Sequence, residues 1–147
     1  MNVEQHAVPE KAAPTATYGG AGFVVEVLGL YGRIRWLLRR YGEVETVSIL
    51  RRRAGEHGAE EPDGLGVLRA LLLGRAVMRV LGVLPTDSRC LMRSLVLMGL
   101  LARRGVYAKV VIGVRPAPSF AAHAWVEVEG QPVLPTDESI YQRLVEL

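Results

Sequence analysis

The chain has one cysteine and three histidines among its 147 residues. A single cysteine excludes an intrachain disulfide and any zinc site built from several thiolates. Three histidines leave little room for a His-rich metal centre. Lysine is almost missing: Lys11 and Lys109 stand against sixteen arginines. Aromatic residues make up only 6%. The arginines are scattered and not interleaved with aromatics, so no nucleic-acid-binding pattern emerges. A Gly-rich phosphate loop is also lacking. The longest apolar region, residues 65–84, is interrupted by Arg69, Arg75 and Arg79, which argues against a membrane span. Residues 1–20 show no basic start followed by an apolar stretch, so no secretory signal is read there.

What is present is apolar bulk. Half of the residues are hydrophobic, and this length suits one domain with a sizeable core. With few aromatics, Leu and Val must build that core. The net charge is +3. Arginines on helix faces can lay their stems on apolar surface while pairing with carboxylates. A soluble, cytoplasmic protein is expected, and the lone thiol agrees with a reducing compartment.

Three stretches follow from composition. Residues 1–20 carry Pro9, Pro14, Gly19 and Gly20 and read as a disordered lead-in. Residues 21–84 read as helical, and residues 85–147 carry one more helix and then β-branched residues, the clearest composition shift falling near residue 105. A first helix is expected over 22–41, with Val25, Leu28, Ile34, Leu37 and Leu38 as its apolar stripe. Gly29 and Gly32 weaken it by about 1 kcal/mol each relative to Ala. A second short helix is expected over 43–54, then a polar loop over 55–64. The third helix, over 65–82, shows Leu65, Leu68, Leu72, Ala76, Arg79 and Val80 at helical spacing. Pro85 ends that run.

The next helix starts at Asp87 or Ser88, either a good N-cap. It runs through Arg104 to a C′ stop at Gly105. Leu91, Leu95, Met98 and Ala102 form its packing stripe. After it the pattern changes to β-branched residues. Residues 106–116 read as a strand. In 120–130 the residues alternate, with His123, Trp125, Glu127 and Glu129 on one face and Ala124, Val126 and Val128 on the other. Residues 130–139 then give a short third strand and a polar loop. The tail from Ile140 suits either a last helical turn or a strand. Helices followed by an antiparallel meander make an α+β fold.

Chemistry can be sought residue by residue because so few candidates exist. Cys90 falls in the first turn of its helix, where backbone N–H groups are unpaired and the dipole favours negative charge. Both effects favour a thiolate, and Arg89 and Arg93 act in the same direction. A lone cysteine can equally be inert core filler. His123 sits on a strand among alanines, and a lone strand histidine can be structural. His6 and His57 fall in the lead-in and in the polar loop, so His123 is the base available to Cys90. A third member would be an acid that orients the imidazole. Asp137 follows the turn after the His strand and suits that role, although it can also serve as a cap before Glu138 and Ser139. Glu127 shares the His123 face but lies too far along the strand to reach the ring directly.

Several motifs then combine. They are Cys90-Leu91-Met92-Arg93-Ser94-Leu95, Leu101-Ala102-Arg103-Arg104-Gly105-Val106, Phe120-Ala121-Ala122-His123-Ala124-Trp125-Val126-Glu127 and Gly130-Gln131-Pro132-Val133. Cys, His and Asp in this order resemble papain-like and transglutaminase-like enzymes. The motifs together resemble the lasso-peptide biosynthesis B protein, a stand-alone transglutaminase-like leader peptidase, over residues 85–145. The resemblance implies a transglutaminase-like or papain-like cysteine protease core. It also implies Cys90 as nucleophile, His123 as general base and then acid, and Asp137 as orienting acid. In that family the acid stands slightly closer to the His, where this chain has Pro135, so Asp137 is the least direct transfer.

The implied reaction is removal of a leader peptide from a lasso-peptide precursor through a Cys90 thioester. The Cys90 N–H would be one oxyanion donor, and Ser88 and Arg89 are candidates for the second. Expected partners are the precursor peptide, a separate leader-recognition protein and the lasso cyclase. The leader-recognition partner is inferred because no room remains for that domain ahead of the helices, and an Arg-rich or apolar surface on residues 22–55 could dock it. No cofactor and no metal are expected, since Cys90 with His123 cannot close a tetrahedral site. Two other readings stay open: an amide-forming acyltransferase of transglutaminase type using the same thioester, and a non-catalytic scaffold or binding protein.

Overall fold

The computed structural model describes residues 18–55, 65–84, 89–134 and 140–147. Most of the expected lead-in, the polar loop after residue 55, and the caps Asp87 and Ser88 lie outside the described residues. The element order is α1 (Ala21–Gly55), α2 (Leu65–Gly82), α3 (Arg89–Ala102), β1 (Lys109–Arg115), β2 (Ala121–Val128), β3 (Gln131–Pro132) and β4 (Gln142–Glu146). Three helices followed by a small antiparallel sheet give the α+β class.

Helix α1 is interrupted at Gly42, whose φ of 79° is not helical. Glycine carries this conformation without the Cβ clash other residues meet. Thr46, fully buried, donates its hydroxyl to the Gly42 carbonyl at 2.6 Å and ties the second half to the break. The two helices expected over 22–41 and 43–54 therefore meet end to end at this residue.

The buried faces of α1 and α2 match the expected stripes only in part, at Ile34 and Leu37 and at Ala76. In α1 the core side is Val27, Leu30, Ile34 and Leu37, while Val25 is 70% exposed and Leu28 is exposed too. In α2 the core side is Ala70, Leu73, Ala76, Val77 and Leu81, and Leu68 and Leu72 face outward. Both helices carry apolar residues on more than one side. Spacing alone then fits two stripes, and only the neighbouring layer selects one.

Helix α3 is central. Its Leu95, Val96, Leu97, Met98, Leu100 and Leu101 are all buried, as befits a helix that is apolar all round. α1 packs on one side of it and the sheet on the other. The helix ends in a Schellman arrangement. Val106 N–H donates to the Leu101 carbonyl (3.0 Å) and Gly105 N–H to that of Ala102 (3.2 Å). Gly105 takes φ 72° at the C′ position, the stop read from the sequence. Beside this end, Glu26 of α1 receives Arg104 Nη2 at 2.9 Å, with Arg103 at 3.5 Å. The Arg104 hydrogen bond holds the Glu26 carboxyl below its ordinary range.

The sheet order is β3-β2-β1-β4, all antiparallel. β1, β2 and β3 form the expected meander, but the tail does not continue it. β4 crosses to the other edge and pairs with β1, closed by reciprocal bonds between Val110 and Leu147 at 2.7 and 2.8 Å. A free β1 edge would leave its backbone groups unpaired, and the last strand satisfies them. Val110, Ala124, Val126 and Val128 join the helices in one core cluster. Their strand neighbours Val111, Gly113, His123, Trp125 and Glu127 therefore point to the opposite face. No described helix is long and apolar enough to cross a membrane.

Candidate functional site

The expected nucleophile and base sit at one end of the domain for a topological reason. β1 starts soon after α3 ends, so β1 runs back along the helix toward its N-terminus. β2 is antiparallel to β1, so it begins at that same end. Cys90 is the second residue of α3, half-buried against the core, and a free thiol. Its backbone N–H belongs to the first turn, whose N–H groups have no partner within the helix. His123 is the third residue of β2.

One bond fixes the helix against the strand. Ser94 is fully buried, and its Oγ donates to the Ala124 carbonyl at 3.1 Å. Ser94 lies one helical turn after Cys90, about 6 Å along the axis. Ala124 directly follows His123. Sequence reasoning quoted Ser94 within the Cys90 motif but gave it no role, yet a signal existed: it is a small polar residue four after Cys90, on the same helix face.

The His123 ring lies on the sheet face that α3 does not cover. It stacks with Trp125 at 6.1 Å between centroids and leans on Tyr141 at 5.3 Å. Among the described residues the imidazole makes ring contacts and no hydrogen bond, and no hydrogen bond joins it to Cys90. Gly113, directly opposite His123, makes this cluster possible. A Cβ there would stand 2.9 Å from the Trp125 ring and 3.0 Å from Tyr141 Cβ. A glycine inside a β-branched strand is the sequence sign of such a close approach.

Below the rings is a buried carboxylate. Glu127 is 4% exposed. It accepts Trp125 Nε1–H at 2.9 Å and hydrogen bonds from Arg143 Nη2 and Nη1, at 2.6 and 3.3 Å. Glu127 thus orients Trp125 and anchors β4, rather than touching the imidazole. Tyr141 and Arg143 could not be found from local pattern. They reach this face only because the tail crosses to β1.

Asp137 lies outside the described residues. The chain leading to it can be followed as far as Leu134. Val133 N–H donates to the Val126 carbonyl at 2.9 Å, so this segment runs back along β2 in the direction of His123. Ser88 also lies outside the described residues, and of Arg89 only the backbone is described. Among the described residues no three His, Cys, Asp or Glu side chains gather as a metal-binding group.

With this geometry in place, comparison with known families is decisive at the superfamily level. The model of the transglutaminase-like superfamily matches residues 28–146. The chain belongs to the transglutaminase-like superfamily. The match takes in α3, the whole sheet and most of the helical cover, so the helices are part of the family domain. A transglutaminase-like domain is compatible with cysteine peptidase or acyltransferase chemistry, both of which pass through a thioester. No curated protein and no solved structure matches this transglutaminase-like chain.

Proposed function

We propose that this transglutaminase-like domain is a cysteine peptidase that removes the leader from a lasso-peptide precursor. The observation that carries the reading is the Ser94–Ala124 bond. It locks the turn after Cys90 to the residue after His123, in a chain whose motifs resemble the lasso leader peptidases.

The Cys90 thiolate attacks the scissile carbonyl, and its own N–H donates to the developing oxyanion. His123 protonates the leaving amine, and water then hydrolyses the thioester to release the peptide acid. The reading requires the imidazole to leave its rest position against Tyr141 during the cycle. Catalytic contacts commonly tighten only with substrate bound. Asp137 orients the imidazole in this scheme. Residues 85–147 supply the chemistry and residues 21–84 its cover.

The partners in this proposal are the precursor, a separate leader-recognition protein and the cyclase, in the cytoplasm. The outer face of α1 offers a surface for one of them. Trp36 is 58% exposed and packs edge-on to Tyr41, whose ring lies under Arg40.

The test is cleavage of a lasso precursor by the chain with its leader-recognition partner, read by mass spectrometry. Leader ending in a free carboxylic acid and core with a free N-terminal amine are expected, and Cys90→Ala should lower the rate by orders of magnitude. His123→Ala should do the same, whereas Ser94→Ala should lower kcat while leaving the thiol in place. Undiminished cleavage by Cys90→Ala sinks the mechanism. Amide products formed with added amines would move the chain to the acyltransferase reading. Full activity of Asp137→Asn would remove that residue from the scheme.

A further inference from the structure

Between α2 and β3 lies a cavity of about 590 Å³, lined by Leu71, Met78, Pro132, Val133 and Leu134 with Arg75 and Arg79. Gly74 brings its two sides together. A Cβ at that position would stand 2.7 Å from the Val133 carbonyl oxygen, so the missing side chain lets the β3 exit lie directly against the helix. One wall is formed by Pro132, Val133 and Leu134 and the other by a row of α2 side chains.

That row is graded along the helix. Leu68, Leu71 and Leu72 stand exposed on its first half, and Arg75 and Arg79 follow one turn apart on the same outward side. Both arginines are exposed. Unlike Arg52, Arg103, Arg104 and Arg143, they pair with no carboxylate among the described residues. Two adjacent guanidiniums with no counter-charge among the described residues repel one another and favour an incoming anion. The apolar lining favours a neighbouring aliphatic side chain.

The direction of the groove is also set. Gly66 lies at Glu129 in the β2–β3 turn, and Gly74 lies at Val133, which pairs with Val126. Moving along α2 therefore moves up β2 toward its start. From Gly74 to Arg79 the helix rises about 7.5 Å, roughly two strand residues. The Arg79 end of the groove thus faces the end that carries Cys90 and His123, and the leucine end points away.

We propose that this groove binds an extended peptide segment in which a carboxylate side chain lies between Arg75 and Arg79. In that segment, aliphatic side chains continue along Leu71 and Leu72, on the side away from Cys90. Its assignment to the substrate rests on the peptidase reading; the binding itself does not. Acidic character next to aliphatic character is the chemistry the walls select, and the polarity of the groove selects the direction of the chain.

The probe is a rhodamine-labelled peptide of alternating Leu and Glu, titrated with the full chain and read by fluorescence anisotropy. The same peptide with Gln in place of Glu is the comparison. The Glu peptide should bind at least about tenfold more tightly, and this preference should shrink as salt rises. Arg75→Gln and Arg79→Gln should each remove about tenfold of that affinity. Arg52→Gln, on α1, should leave it unchanged. In cleavage of an acidic substrate, Arg79→Gln should raise KM with kcat kept, as expected for lost binding alone. Equal binding of the Glu and Gln peptides, no binding of either, or wild-type binding by the Arg75→Gln/Arg79→Gln double variant each overturns the proposal. Selective binding without any cleavage would instead count against the peptidase reading and leave the groove intact.

Discussion

The two faces of the four-stranded sheet are built on different physics. The face toward α3 presents Val110, Ala124, Val126 and Val128, all buried and all aliphatic. It is held by area removed from water, which is non-directional and tolerant of which aliphatic side chain fills a place. The opposite face presents His123, Trp125 and Glu127, with Tyr141 and Arg143 delivered by the tail. It is held by bonds with fixed directions. A fold needs only the first kind of face. A site needs the second, because rings and charges must point somewhere definite.

The sharpest way to break this contrast is to remove its largest member. Trp125 is fully buried. Trp125→Ala should cost about 3–5 kcal/mol, and Val126→Ala on the other face only about 2 kcal/mol. Urea midpoints measure both. Only the Trp125 change should also disturb the neighbouring His123 resonances in an NMR spectrum. Equal disturbance from both would mean the faces are not independent.

A smaller effect isolates direction from size. Arg143→Met keeps most of the stem but leaves the buried Glu127 carboxylate with Trp125 Nε1 as its remaining donor here. The expected loss is about 2–3 kcal/mol, because an uncompensated buried charge costs more than the pair contributed. A chemical-denaturation loss under about 0.5 kcal/mol, the scale of an ordinary surface change, would show that the carboxylate is not held by this pair.

The smallest effect lies away from the sheet and serves as its control. Glu26 is held below its ordinary carboxyl range first by its hydrogen bond from Arg104, against a burial penalty, and by the Arg104 and Arg103 charges. A depressed carboxyl pKa contributes stability above the unfolded-state value, and that contribution is lost as pH falls through the folded-state value. Glu26→Gln should therefore cost about 1 kcal/mol at neutral pH. The difference from wild type should vanish in acid, below the ordinary glutamate range. A difference that stays constant from neutral pH into acid would remove the ion pair from the account.

Much of this was legible along the chain. The extents of α2 and α3, the Gly105 stop and the alternation of His123 against Ala124 follow from local rules: spacing, capping and the two-residue period of a strand. The transglutaminase-like superfamily was legible too, in the motifs around Cys90 and His123. The buried faces of α1 and α2 were legible only in part, at Ile34, Leu37 and Ala76. Their sequences are apolar on more than one side, and which side is covered depends on where α3 lies. The fate of Glu127 was half legible: its face was readable, but its partner Arg143 stands sixteen residues on, across a chain reversal.

By itself, the sequence determined that this chain folds as helices followed by strands. It also set Cys90 at a helix start and His123 on a strand, since these depend only on near neighbours. Tertiary structure alone decided that Ser94 joins that helix to that strand, that Tyr141 and Trp125 hold the imidazole, and that Arg75 and Arg79 border a groove. Each of these needs two segments brought together across many residues. Such meetings are settled by packing and by the pairing of buried polar groups, which no single stretch of sequence contains.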